Sequence, residues 1–177
     1  VSASPKVTPD ANGNTQITYA TVSGGTVAIT QTQTGQTVVQ ESSGKNGAVT
    51  SKVVDSKGAV TAQVQGSLAS AVTTTDSKGN VNSRFEFSDG QFVATTQSDA
   101  TSVTQVKTNL ESSTTLKGKS GEVLTKLEGI IEGTPEVQKD VKGAEGAVKV
   151  TYQLSTGARV SVTQTAGGSA IVESRTQ

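Results

Sequence analysis

The chain has 177 residues, equal numbers of basic and acidic side chains, and neither cysteine nor histidine. These absences exclude Ser-His-Asp and Cys-His catalysis, imidazole or thiolate metal sites, and disulfides. A net charge of zero gives no electrostatic attraction for nucleic acid. With 32% hydrophobic and 3% aromatic residues, any core must be thin and built from small β-branched side chains.

The N-terminal segment differs in composition from the rest of the chain. Residues 1–14 contain two of the three prolines and show no apolar alternation, which predicts an extended or flexible arm. We expect residues 15–177 to form a single β domain. The sequence begins at Val1 without methionine, which we interpret as removal of a signal peptide and therefore as secretion to the extracellular space or the cell surface.

Glycine-centred turn signals recur about every 11 residues and punctuate short stretches in which apolar and polar side chains alternate. This rhythm predicts an all-β fold of about 10–14 short strands, arranged as an antiparallel hairpin meander or sandwich. A β-solenoid, in which strands stack in parallel, is the alternative. Most aspartates fall in turn-like contexts, which favours structural roles over catalytic ones.

One segment leaves the type of secondary structure open. Residues 121–135 place apolar side chains at spacings that fit one face of a short helix, although Gly129 opposes it. Strands are the favoured interpretation, and a connection or an edge strand is expected to follow Pro135.

Two distant segments repeat each other. Residues 11–32 align without a gap with residues 144–165, and nine of the 22 positions are identical. The two tyrosines, Tyr19 and Tyr152, coincide and are interpreted as core or interface anchors. A weaker repeat relates residues 55–64 to residues 76–85. Duplication of a hairpin explains the long pair best.

Three phenylalanines lie on adjacent predicted strands and are expected to form the largest apolar cluster: Phe85, Phe87 and Phe92. The threonine-rich stretches fit the solvated faces of strands better than rows that bind ice.

The hypothesis that follows is a secreted, non-enzymatic structural subunit that assembles with copies of itself into a surface fibre, pilus-like filament or matrix layer. Open strand edges favour joining by β-strand exchange, with the N-terminal arm as donor. The alternative is an adhesin or a carbohydrate-binding β module that recognises cell-surface glycans. No cofactor, metal, nucleic acid or transmembrane segment is expected. The candidate assembly or anchor residues are Val1, Pro5, Val7, Tyr19 and Tyr152.

Overall fold

The computed structural model describes residues 4–44, 47–98, 101–142, 145–166 and 170–176. Sixteen strands occupy these ranges, more than the 10–14 predicted, and they form three antiparallel sheets. Every strand pairs only with its neighbours along the chain, so the all-β meander prediction is confirmed and the parallel solenoid is not adopted. A single 3₁₀ turn at Ser88–Gly90 is the helical element in the described ranges.

Sheet A is a six-stranded meander at the N-terminal end. Its strands are β1 (Lys6–Pro9), β2 (Thr15–Ala20), β3 (Thr26–Gln31), β4 (Thr37–Ser42), β5 (Val49–Val54) and β6 (Val60–Gln65). β1 lies inside the segment predicted as an arm and pairs with β2, Val7 opposite Ile17. Alternation of side chains along each strand gives the sheet two distinct faces.

Sheet B repeats the six-stranded pattern. Its strands are β7 (Leu68–Thr75), β8 (Val81–Phe87), β9 (Phe92–Gln97), β10 (Thr101–Lys107), β11 (Ser112–Gly118) and β12 (Val123–Glu128). Sheet C has four strands, β13 (Ile131–Lys139), β14 (Val148–Leu154), β15 (Arg159–Gln164) and β16 (Ala170–Arg175). Residues 121–135 therefore contribute to β12 and β13, and the helical alternative is wrong because both flanking strands pair with this segment.

The hairpin loops explain the interval of about 11 residues. In the β2–β3 loop, the amide of Gly24 donates to the carbonyl of Thr21, and the amide of Thr21 donates to the carbonyl of Gly25. Gly24 has a φ of +84°, which suits a type I turn closed by a glycine bulge. Asp10, Asp55 and Asp76 add carboxylate acceptors for loop amides, as their turn-like contexts predicted.

Sheet B lies between sheets A and C, and a different face of it contacts each neighbour. One buried cluster joins sheets A and B and contains Val38, Val53, Ala62, Val64, Ala71, Phe85, Phe87, Val93 and Val106. A second cluster joins sheets B and C and contains Val103, Leu116, Val160 and Val162, with Tyr152 packed against it. The core is thus two thin layers built mainly from aliphatic side chains, as the composition predicted.

Phe92 does not join the expected phenylalanine cluster. Phe85 and Phe87 are buried between sheets A and B, but Phe92 pairs with Glu86 and so shares the opposite face of sheet B. There the guanidinium of Arg84 lies 4.2 Å from the centre of its ring. The three rings lie on adjacent strands, but alternate side chains along a strand face opposite sides of the sheet, so Phe92 is separated from Phe85 and Phe87.

Short links pass the chain from one sheet to the next at Gly66 and Gly129. At each link, a glutamine side chain accepts a hydrogen bond from the backbone amide of the first strand residue in the new sheet. The amide of Leu68 donates to Gln40 Oε1, and the amide of Ile131 donates to Gln105 Oε1. Both bonds cross from one sheet to the next and fix where the new sheet starts.

Candidate interaction surfaces

Sheet A leaves one face outside both buried clusters, and we call it the outer face. An apolar row crosses four of its strands, because Val7 pairs with Ile17, Ile17 with Ile29, and Ile29 with Val39. A second row begins with Tyr19 opposite Val27. Val7 is 60% exposed, and the other five side chains are half-buried. Contiguous apolar rows on an outward sheet face make it a candidate interaction surface.

The predicted anchor residues fall on different parts of the molecule. Val7 and Tyr19 share the outer face, and Pro5 is exposed just before β1. Tyr152 lies on β14, opposite Val160, and packs into the layer between sheets B and C. Burial raises the pKa of the Tyr152 hydroxyl above its ordinary value. Val1 lies outside the described residues.

A third copy of the hairpin repeat escaped the sequence analysis. Residues 76–98 align with residues 10–32 at a shift of 66 (76 − 10). Eight of the 23 positions are identical, namely Asp76, Gly79, Asn80, Gly90, Val93, Ala94, Thr96 and Gln97. The loops also match in structure, because Asn14 and Asn80 donate to Asp10 and Asp76 respectively. The shared Asp-x-x-Gly-Asn pattern could have identified this copy.

The three copies place an aromatic residue and a valine at the same positions in each sheet. Tyr19, Phe85 and Tyr152 are the aromatic residues, and each pairs with a valine on the next strand. In sheets B and C that valine (Val93 or Val160) is fully buried by the preceding sheet, whereas Val27 in sheet A remains partly exposed. Tyr19 and Val27 therefore lie on the outer face of sheet A, whereas the equivalent pairs in sheets B and C are covered by another sheet.

Sheet edges form a second candidate surface. The outermost strands are β1 and β6 in sheet A, β7 and β12 in sheet B, and β13 and β16 in sheet C. Register shifts interrupt the pairing at four of these edges, in the β5–β6, β7–β8, β11–β12 and β13–β14 pairs. Such bulges discourage pairing with further chains. The β1–β2 and β15–β16 ladders are regular throughout.

The edge at β16 is the longer of the two regular edges. β1 has four residues and includes Pro9, whereas β16 has six residues and no proline. β16 is the fourth strand of its sheet, and the fourth strands of sheets A and B both pair with a fifth. In the described part of the chain no strand takes that position beside β16. Its outward backbone groups are thus a template for an added strand.

A polar cleft of about 330 Å³ lies between the β5–β6 loop, the β11–β12 loop and the strand ends of sheet B. Lys57, Lys117 and Lys119 line it together with threonine and serine hydroxyls. The amide oxygen of Gln36, which also lines the cleft, is buried without a hydrogen-bond partner. None of the described residues that line it is aromatic, so the cleft lacks the stacking platform typical of sugar sites.

Within the described ranges, no group of three or more acidic side chains is placed to hold a metal ion. In the same ranges no helix has the length and hydropathy needed to cross a bilayer.

Comparisons with known proteins give no family for this chain. No family model matches the sequence, and no curated protein matches it. One solved structure that matches is a Bacteroides uniformis protein that carries the name 6-phosphogluconolactonase. The alignment covers 97% of this chain and 71% of that one, at 9% identity and a TM-score of 0.25. Similarity at that level carries no argument about function.

Proposed function

We propose that this protein is a secreted, non-enzymatic structural subunit that assembles with copies of itself into an extracellular fibre or matrix layer. The observation that carries the proposal is the regular edge of β16, which offers a six-residue strand in a position that has a partner strand in the other two sheets. Addition of a strand from a second chain would satisfy the backbone groups along that edge.

The N-terminal strand is the proposed donor. β1 is short, three of its four residues are exposed, and its ladder to β2 is its one contact with a neighbouring strand in the described residues. Little apolar burial is lost when such a strand leaves its own sheet. Exchange of β1 into the β16 edge of the next copy would join subunits end to end, in line with the proposal that the arm is exchanged.

A proline scan of β16 tests this mechanism. In an antiparallel edge strand, successive residues direct their backbone groups alternately towards the sheet and away from it. Of Val172→Pro and Glu173→Pro, one therefore disrupts the β15–β16 ladder and the other blocks only the free edge. We expect the variant that retains the wild-type circular dichroism spectrum to lose fibres in negative-stain micrographs.

Removal of residues 1–14 is the companion experiment. If β1 is the donor, the truncated chain no longer extends fibres but still caps their growing ends when mixed with wild-type protein. Fibres that form normally from the edge-blocked variant would overturn the strand-addition mechanism. Wild-type protein that remains in discrete small particles at high concentration would overturn the fibre proposal itself.

The alternative function is recognition of cell-surface glycans by an adhesin-like module. The polar cleft is the observation that favours this alternative, because lysines and hydroxyls line it and the Gln36 oxygen there lacks a partner, although its described lining has no aromatic stacking platform. Glycan-array binding that is lost in a Lys57→Ala, Lys119→Ala double variant, with no fibres formed by the wild type, would favour it over the structural role.

A further inference from the structure

We propose that the outer face of sheet A is a dimerisation surface that binds the same face of a second copy of this chain. This inference goes beyond the proposed fibre, because it names a contact that is separate from the β16 edge. It rests on the equivalence of the three sheets and on the apolar chemistry of the face, so it stands or falls independently of fibre formation.

Internal equivalence argues that a sheet covers this face. The counterparts of Tyr19 and Val27 in sheet B are Phe85 and Val93, and both are fully buried against sheet A. The counterparts in sheet C, Tyr152 and Val160, pack against sheet B. In sheets B and C, the fold thus buries this position by stacking a face of the preceding sheet on it.

The row beside Tyr19 differs between the sheets in a way that points to contact. In sheet A it reads Ile17, Ile29 and Val39 across three strands, whereas the corresponding row of sheet B reads Ser83, Thr95 and Thr104. In this row, the outer face is therefore more aliphatic than the buried face of sheet B. A face that remained in water would gain nothing from this substitution.

The chemistry of the other sheet faces indicates which surface of a second copy binds the outer face. A second copy has its own aliphatic faces between sheets A and B and between sheets B and C already filled. The remaining face of sheet C is polar, because Lys149 pairs with Glu173 at 3.5 Å and Thr151 hydrogen-bonds Ser161 at 2.9 Å. Among the described sheet faces, only the outer face of the second copy remains both aliphatic and uncovered, so the outer faces of the two copies contact each other. Such a contact is isologous and closes as a two-fold dimer.

The size of the face sets the strength of the contact. With strands ~4.8 Å apart, ~3.3 Å per residue and alternate side chains on each face, one side chain occupies about 30 Å², so the six apolar side chains form a flat patch of about 200 Å². Side-chain relief increases that area, but the pair still buries less than the ~1,600 Å² of a standard interface. We therefore expect a reversible dimer whose population depends on concentration rather than a permanent one.

Sedimentation equilibrium over a concentration series tests the proposal, in a variant blocked at the β16 edge so that fibres do not interfere. We expect Ile29→Lys to raise the dimer dissociation constant at least tenfold. Ile171→Lys is the matched control: Ile171 is 54% exposed on the polar face of sheet C, and its replacement should leave dimerisation within twofold of wild type. Ile29→Thr introduces the residue found at the equivalent position of sheet B, Thr95. It should weaken the dimer by removing apolar surface without introducing a charge.

Cross-linking then identifies the paired faces, since the natural chain has no cysteine. A bis-maleimide that spans the face should join two copies of the Ile29→Cys variant, and it should leave Ile171→Cys monomeric. Cross-links that form only when Ile29→Cys is mixed with Ser161→Cys would overturn the isologous pairing, as would a monomer at all concentrations. A dimer without fibres would contradict only the fibre proposal, whereas fibres from a chain with no outer-face dimer would contradict only this inference.

Discussion

Ser51 and Thr114 form the same hydrogen bond in successive sheets, 63 residues apart (114 − 51). Ser51 Oγ donates to the carbonyl of Gly66 at 2.6 Å, and Thr114 Oγ1 donates to the carbonyl of Gly129 at 2.8 Å. Each acceptor is the glycine that links one sheet to the next. Each glycine amide also donates to the backbone carbonyl of the first residue in the penultimate strand of its sheet. That residue is Val49 for Gly66 and Ser112 for Gly129. The link is therefore a repeated structural device.

Replacing Thr114 by valine removes this bond without changing the shape of the side chain. Because Thr114 is fully buried, the carbonyl of Gly129 loses a partner that water cannot easily replace. We expect the free energy of unfolding to fall by about 1–3 kcal/mol, measured by urea denaturation. Thr114→Ser keeps the hydroxyl and is the control. Equal losses in the two variants would mean that packing, not the hydrogen bond, accounts for the effect.

Replacing the aromatic residue should lower the free energy of unfolding more in sheet B, at Phe85, than in sheet A, at Tyr19. Phe85→Ala opens a cavity between the two sheets and is expected to cost about 3–5 kcal/mol. Tyr19→Ala removes a side chain from the outer face and should cost only about 1 kcal/mol in the dilute monomer. Thermal and urea unfolding at low concentration provide the comparison, and a Tyr19 loss as large as that at Phe85 would contradict the assignment of an uncovered face.

Glycine at the second sheet link should tolerate alanine less well than glycine in an ordinary hairpin loop. Gly58 has a φ of +88° and open space where a Cβ would lie, so Gly58→Ala should cost about 1–2 kcal/mol through backbone strain alone. At Gly129 the φ is +96°, and a Cβ would also lie 2.9 Å from Ser155 Oγ and 3.2 Å from the Thr156 amide nitrogen. Chemical denaturation should rank Gly129→Ala as the more destabilising variant.

Alkaline titration should report the burial of Tyr152. Burial raises the pKa of its hydroxyl in the folded chain, whereas the unfolded chain ionises near pH 10. The stabilisation linked to the neutral hydroxyl is therefore complete below about pH 10 and is lost as the pH rises through the raised folded pKa. In a Tyr19→Phe variant, phenolate absorbance should appear at higher pH in buffer than in denaturant. Coincident curves would place Tyr152 in water.

Local sequence signals predicted the hairpins well because each turn is specified by its own residues. The Asp-x-x-Gly loops and the alternation around Val60 and Val148 are sufficient to predict antiparallel strands. The sheet boundaries at Gly66 and Gly129 could not be predicted in the same way. A glycine that redirects the chain into a new sheet looks like any other turn glycine, since packing between distant strands decides the difference.

The sequence alone points to only some of the residues on the outer face. Val7 and Tyr19 were identified as anchors, and the structure places both on one face. Ile17, Ile29 and Val39 were not singled out, because strand register aligns them and register cannot be read from one strand alone. The third hairpin copy is harder to recognise in the sequence, because its aromatic residue is Phe85 rather than tyrosine and its Asp-Ser-Lys-Gly loop also matches residues 55–58.

Pairing restricted to neighbouring strands also determines how this chain can fold. Each strand meets its partner across a short loop, so loop closure costs little entropy and the contact order is low for an all-β protein. Hairpins of this kind form in about 1–10 μs. Sheet A can therefore form its full set of ladders before the residues of sheet B have been synthesised, and each later sheet can fold on the surface that the previous one has completed.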